Sequence, residues 1–333
     1  MKSVEILYPK YENAVTYLQD QLKVGFIEAL VETFDNLENK IVKVEEDVPT
    51  PEAVTELEKI YQELDYQSLS SENKQTLFYL LTLAGVKRDG FDYNGQVTPK
   101  FVAVVVTLLL QKLMPDLSDK VIVDPAVGSG NLLLDVLKEY PANKKKNLSV
   151  IGIDNNEDLL NVFDINTALY QQPADLFLQD NLEPWTFAGA DLVLSDLPAG
   201  FYPNDQNSAN FELRQKQGHS YAHELMIEQI VKNLKPNGLA IVVVPTLLLQ
   251  GENANNFVTW LTKKVYLNAI VELPDELFTE NNLKKTILVF QNHGDVSQPV
   301  QNVLLAKLGS PKDKAALADF NVQLDNWAQN NVG

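Results

Sequence analysis

The chain has 333 residues, 45% hydrophobic and 22% charged, and its 45 Asp and Glu outweigh 27 Lys and Arg to leave a formal charge of −18. This describes a packed chain of about two domains and excludes the disordered and fibrous classes. With no cysteine and three histidines, disulfides, thiolate nucleophiles and Cys-built metal centres are excluded, and the negative charge opposes nonspecific attraction to nucleic acid or anionic membrane.

Residues 1–95 read as a helical domain. The opening stretch, MKSVEILYPKYENAV, lacks the apolar segment and cleavage site of an export signal. Val15, Leu18, Leu22, Phe26, Leu30, Phe34 and Leu37 recur every three or four residues, which predicts one long amphipathic helix. Thr50 before Pro51 and Glu52 reads as the cap of a second helix carrying Val54, Leu57, Tyr61 and Leu64 inward, because proline suits the first helical position. A third is expected from near Ser71 to a stop at Gly85, followed by a linker from Val86 to Gly95. None of these helices carries recognisable chemistry, so they are expected to form a cap or a surface for a protein partner.

From Gln96 onward, short β-branched runs alternate with helical segments, the pattern of an α/β domain with a mostly parallel sheet, assigned to residues 96–333. Seven strands are expected, at Val121–Asp124, Val150–Ile153, Asp175–Leu178, Asp191–Leu194, Leu239–Val244, Asn268–Leu273 and Thr286–Gln291. The last two are too close for a helical crossover, so an antiparallel pair is expected around TENNLKK. A short amphipathic helix with Leu317, Phe320, Leu324 and Trp327 ends the chain. The longest apolar runs, Phe101–Leu110 and Leu239–Val244, fall short of the roughly 20 residues of a membrane span. A cytoplasmic protein without membrane contact is expected.

The chemistry concentrates at strand ends. The first strand runs into Asp124-Pro125-Ala126-Val127-Gly128-Ser129-Gly130 and then a helix, a turn whose glycines let backbone N–H groups approach a ligand. A dinucleotide fingerprint needs a third glycine at position 133, which is Leu133, so a nicotinamide-dependent reading fails there. Asp154 ends the second strand, where a carboxylate can accept both hydrogen bonds of a ribose diol. Asp180 and Asn181 follow the third strand, placed to take an adenine amino group. Taken together, the three acids at the ligand-binding edge of an open sheet point to an adenosine-containing ligand. The alternative is that each is a loop-starting aspartate.

The fourth strand ends in Ser195-Asp196-Leu197-Pro198-Ala199-Gly200-Phe201-Tyr202-Pro203. With Thr98-Pro99, the Asp124 turn, Gly152-Ile153-Asp154, Asp180-Asn181-Leu182, Leu234-Lys-Pro-Asn-Gly238 and Leu273-Pro-Asp-Glu-Leu-Phe278, this ordered series resembles the class I S-adenosylmethionine-dependent methyltransferases. It is most similar to N6-adenine DNA methyltransferases related to the modification subunit of type I restriction systems. The resemblance spans 96–306 and, more weakly, the helical part.

It implies a seven-stranded, mostly parallel, Rossmann-like sheet and S-adenosyl-L-methionine as cofactor. Thr98 and Pro99 would close over the methionine end, Asp124, Pro125, Ala126, Gly128 and Gly130 would hold the amino-acid portion, Asp154 the ribose, and Asp180 with Asn181 the adenine. The activity implied is transfer of a methyl group to an amino nitrogen, adenine in DNA or another nucleic acid. Asp196 would accept hydrogen bonds from the target amino group, Pro198 would shape the turn, and Tyr202, or Phe201 beside it, would stack on the base unless it packs in the core. Leu197 and Ala199 depart from the family's Asn/Asp/Ser-Pro-Pro-Tyr/Phe motif, and base–aromatic stacking is worth roughly 1–3 kcal/mol. The other readings are a methyltransferase acting on a protein or small molecule, and a catalytically inactive cofactor-binding module.

The polar stretch Asn204–His223, with Arg214, Lys216, His219 and His223, reads either as a mobile loop over an anionic substrate or as a solvated loop in which His223 opens the next helix. The chain's arginines are Arg88 and Arg214 alone, and nine basic against eighteen acidic residues give 1–97 a charge of −9, equal to that of the remainder. No basic domain and no counterpart of the family's target-recognition domain is visible, so any DNA substrate must be held against the overall charge.

Overall fold

The computed structural model describes residues 4–91, 97–251, 253–278 and 284–331. Residues 92–95 of the expected linker and most of TENNLKK lie outside the described residues. Two compact units are formed. The first takes in the chain up to Val97 together with Gly128–Gly130 and Asn156–Pro173, and the second takes in the rest.

In the first unit, α1 (Val4–Leu22) and α2 (Phe26–Asn39) replace the single long helix expected. Lys23 adopts φ 61°, a left-handed conformation that ends the ladder, and Asp89 caps the new helix by accepting from the amides of Phe26 and Ile27 at 2.9 and 2.8 Å. The apolar spacing runs across the break because both helices face one core, with Val15, Phe26, Leu30, Phe34 and Phe78 buried together. α3 (Pro51–Leu64) begins as expected, with the Thr50 hydroxyl accepting from the Ala53 amide.

α4 (Ser71–Arg88) runs through Gly85 rather than stopping there. A Cβ at Gly85 would stand 2.5 Å from Ile27 Cδ1, so this glycine serves close packing of α4 on α2. The helix Glu157–Tyr170 adds Val162 and Leu169 to the same core. Buried Gln75 of α4 donates to its Leu169 carbonyl at 2.9 Å.

Among the described residues the second unit holds a sheet of eight strands, β1 (Val121–Asp124), β2 (Ser149–Asp154), β3 (Asp175–Leu178), β4 (Ala190–Asp196), β5 (Leu234–Pro245), β6 (Val265–Glu272), β7 (Lys285–Asn292) and β8 (Leu304–Lys307). Their order is β3-β2-β1-β4-β5-β7-β6-β8. β7 runs antiparallel between β5 and β6, and the other neighbouring pairs are parallel. The α/β class and the antiparallel end therefore hold, and the expected seven strands become eight.

β8 was not expected because four residues with only Leu304 buried carry too little apolar periodicity to stand out from a loop. β5 also starts five residues before its expected origin, at Leu234. The central strands are apolar on both faces, with Val193, Ile241, Val242, Leu288 and Val289 fully buried, as a sheet covered on both sides requires.

Because β1, β2, β3 and β4 are parallel neighbours, their C-terminal ends share one edge of the sheet. Asp124, Asp154 and Asp196 are the last residues of β1, β2 and β4, and Asp180 lies two residues beyond β3.

Candidate active site

Asp124 is 2% exposed, and its Oδ1 accepts from the Ser195 hydroxyl at 2.6 Å and the Ala126 amide at 3.1 Å. Burial pushes its carboxyl up to about 7, the hydrogen bonds from Ser195 and Ala126 oppose this, and the charges of Asp154 and Asp196 add to the rise. Pro125 is buried and Ala126 half-buried, and the Val127 amide donates to the Ile153 carbonyl at 3.0 Å, which ties the turn to β2. Gly128 and Gly130 take φ 50° and 76°, values that favour glycine. A Cβ on Gly130 would run into the ring of Phe163, and the Ser129 carbonyl accepts from Asn166 Nδ2 at 2.8 Å.

Asp154 is half-buried at the end of β2, and its backbone carbonyl accepts from the Gln179 amide at 3.0 Å. Asp180 accepts from the Leu182 amide through Oδ1 at 2.9 Å and from the Tyr202 hydroxyl through Oδ2 at 2.5 Å. Asn181 is 7% exposed, and its Oδ1 accepts from Trp185 Nε1 at 2.9 Å, which fixes the amide's orientation. Its Nδ2 is buried with no hydrogen-bond partner among the described residues, a cost unless a ligand supplies an acceptor.

Asp196 is held from two sides. Thr98, 8% exposed, donates to Oδ2 at 2.8 Å, and Lys285 Nζ lies 2.5 Å from Oδ1. Pro99 follows as the cap of the helix Lys100–Leu113. Leu197 is fully buried with its amide on the Val243 carbonyl at 2.9 Å, Pro198 is half-buried, and Ala199 is exposed. His223, 5% exposed, is pushed down to about 4 by burial, against a hydrogen bond to the Pro198 backbone and with the nearby Lys285 charge lowering it further.

Tyr202 does not take the place expected of a stacking ring. It is 6% exposed in the core, with its hydroxyl on Asp180 and accepting from Asn207 Nδ2 at 3.0 Å. The exposed ring of this turn is Phe201, which stacks on Tyr221 with centroids 4.8 Å apart and planes at 23°.

The stretch from Asn204 to His223 is strapped down at both ends. The Tyr202 amide donates to the Ser220 carbonyl, and the Ala222 amide to the Gly200 carbonyl. His223 is the second residue of the helix Ala222–Asn233, while Arg214, Lys216 and His219 are exposed. Glu228, buried at 1% exposure, accepts from the amides of Glu212 and Leu213 at 3.0 and 2.9 Å and pairs with Lys232 at 2.8 Å. Glu228→Ala is expected to lower stability by about 2–3 kcal/mol by orphaning two backbone donors. Urea unfolding measures this, and Glu228→Gln, which keeps an acceptor, should cost less.

The structure therefore brings Thr98 and Asp196 into contact, links Asp180 to Tyr202, sets His223 in the first turn of its helix beside Pro198, and adds Lys285 and Ser195, to which sequence reasoning gave no role. Lys285 had one visible signal: it is a charged residue opening the apolar run Thr286–Phe290.

A family model described as N-6 DNA methylase matches residues 87–323, and one described as the YtxK N-terminal helical domain matches residues 5–86. The uncharacterized protein YtxK of Bacillus subtilis (strain 168) is 32% identical over 325 residues, 97% of each chain. A putative class I S-adenosylmethionine-dependent methyltransferase of Listeria monocytogenes is 30% identical, with a TM-score of 0.86 over 98% of both chains. A type I restriction-modification methyltransferase subunit of Streptococcus thermophilus shares the fold at 18% identity, with a TM-score of 0.67 over 97% of this chain and 74% of that one.

Proposed function

The chain belongs to the N-6 DNA methylase family, and from this premise we propose that it is an S-adenosylmethionine-dependent methyltransferase whose acceptor is the amino nitrogen of an adenine in nucleic acid. The observation that carries the reading is the row of carboxylates at one sheet edge, Asp124, Asp154, Asp180 and Asp196, where ligands of open α/β sheets bind.

The residues fit the cofactor. Buried Asn181 Nδ2 lacks an acceptor, which an adenine ring nitrogen supplies. Asp180 retains lone pairs beyond those used by Leu182 and Tyr202. Asp154 takes the ribose hydroxyls, Asp124 with Pro125, Ala126 and the Gly128 and Gly130 amides takes the amino-acid portion, and Thr98 with Pro99 borders its methionine end. The cofactor supplies an electrophilic methyl group on a sulfonium.

The chain's own task is to present the nucleophile. An exocyclic amino group is weakly nucleophilic because its lone pair delocalises into the ring. The carboxylate of Asp196 offers about four lone-pair sites, of which Thr98 and Lys285 use two. The others accept amino N–H bonds, hold the lone pair on nitrogen and aim it. Pro198 shapes the turn, and Phe201, backed by Tyr221, offers a base its exposed face. A cytoplasmic location and a protein partner for the helical domain belong to the same proposal. Among the described residues no helix is long and apolar enough to cross a membrane.

Calorimetry with S-adenosylmethionine is expected to show binding that Asp154→Ala abolishes, and labelled methyl is expected to enter adenine-containing DNA or RNA. Phe201→Ala should weaken single-stranded DNA binding by roughly 1–3 kcal/mol. Unchanged cofactor binding in the Asp154 variant would sink the cofactor assignment. Label entering only protein or small molecules would favour the second reading, to which Ala199 in place of the motif's aromatic points.

A further inference from the structure

Asp196 and Lys285 are 89 residues apart in sequence and lie on strands that are not neighbours. β5 lies between β4 and β7, and Lys285 is in register with Pro245 at the end of β5, so its side chain reaches past a whole strand end to meet the carboxylate. The two side chains are 5% and 11% exposed.

A buried lysine is costly, and well-packed apolar residues of similar size often stabilise a fold as well as a buried ion pair does. Stability alone is therefore a weak account of this one. The charge environment gives a better one. Asp124 on β1 lies close enough to Asp196 for their charges to repel. Asp154 on β2 adds a further carboxylate beside Asp124. His223, on the helix Ala222–Asn233, is held in its neutral form by burial and feels the charge of Lys285. Thr98 contributes a neutral donor. Lys285 is the cation that meets the carboxylate directly.

We propose that Lys285 is a positioning residue for methyl transfer, holding Asp196 as a carboxylate and locking its plane so that the free lone pairs face the target amino nitrogen. This rests on the proposed role of Asp196 as the amino-group acceptor. Contacts on opposite oxygens, Lys285 on Oδ1 and Thr98 on Oδ2, prevent the carboxylate from turning about its own bond. Without the ammonium, a carboxyl buried beside Asp124 favours its protonated form. It would then present a hydroxyl where the amino group needs an acceptor.

The test compares Lys285→Met, Lys285→Gln, Lys285→Arg and the double variant Asp196→Asn with Lys285→Met. In the ligand-free protein at about pH 7, where Asp124 gives every one of these proteins a protonated-carboxyl band of its own, the infrared spectra of the Met and Gln variants should gain a second such band that is absent from wild type, from Lys285→Arg and from the double variant. In methyl transfer to an adenine-containing oligonucleotide, the acid limb of the Lys285→Met pH profile should move up by at least about one unit, with losses of roughly tenfold near pH 6 that largely recover near pH 9. Lys285→Arg should keep the wild-type profile. An infrared spectrum without the Asp196 band, or a loss of equal size at every pH, overturns the proposal. The infrared result is independent of the acceptor. If the band appears but no variant methylates anything, the failure lies with the methyl-transfer reading, and Lys285 has no reaction to position for.

Discussion

Asp124→Asn is expected to remove binding of S-adenosylmethionine and, in the ligand-free protein, to change how stability depends on pH. The folded-state value of Asp124 is raised from 3.8 to about 7. Between those values the folded protein binds a proton that the unfolded chain has released, so this group's contribution to stability falls as pH rises, by about 1.4 kcal/mol per unit. His223 acts in the opposite sense. Its value is lowered from 6.5 to about 4, so its contribution is present above the unfolded value and is lost as pH falls toward 4.

In wild type these two slopes oppose each other between about pH 4 and 6.5, so a single stability curve does not separate them. The variant-minus-wild-type difference isolates Asp124. It should climb by on the order of 4 kcal/mol from about pH 4 to 7 and then level off. Orphaning of the new amide shifts the whole difference curve without changing its slope. Urea unfolding at a series of pH values measures it, and parallel curves for the two proteins would refute a buried, proton-binding Asp124.

Gly130→Ala should be strongly destabilising. The residue sits at φ 76°, where a non-glycine residue pays roughly 1–2 kcal/mol, and its new Cβ would enter the ring of Phe163, an overpacking worth about 1–3 kcal/mol. A matched control lies in the same chain. Gly218 has φ 75° and nothing within 4 Å of a built Cβ, so Gly218→Ala should show the strain alone. The difference between the variants in thermal or urea unfolding therefore measures the packing of the turn on the helix Glu157–Tyr170. Equal losses would mean that Phe163 yields freely. Calorimetry on the same protein should show weakened cofactor binding, because a displaced turn no longer presents its amides.

Both predictions concern residues that were legible before any coordinates. Asp124, Asp154 and Asp196 could be placed at strand ends because a β-branched run stopped by a polar or glycine-rich turn is a local signal, complete within some ten residues. Thr50-Pro51 marked a helix start for the same reason, and α3 begins there. The break between α1 and α2 was hidden because the apolar spacing continues across it, and the cap that starts α2 comes from Asp89, more than sixty residues away. Gly85 carried a stop signal that its packing against Ile27 overrides.

At the site the division is sharper. By itself the sequence determined the α/β class, the helical N-terminal part, the order of motifs and the carboxylates along one edge, since these depend on short-range periodicity and turn chemistry. Tertiary structure alone decided that Tyr202 is buried against Asp180 while Phe201 is exposed, that β8 joins the sheet, and that Lys285 meets Asp196. Those outcomes depend on which strands lie side by side. Pairing across the order β4-β5-β7 is a long-range property of the packed sheet that no local window of residues contains.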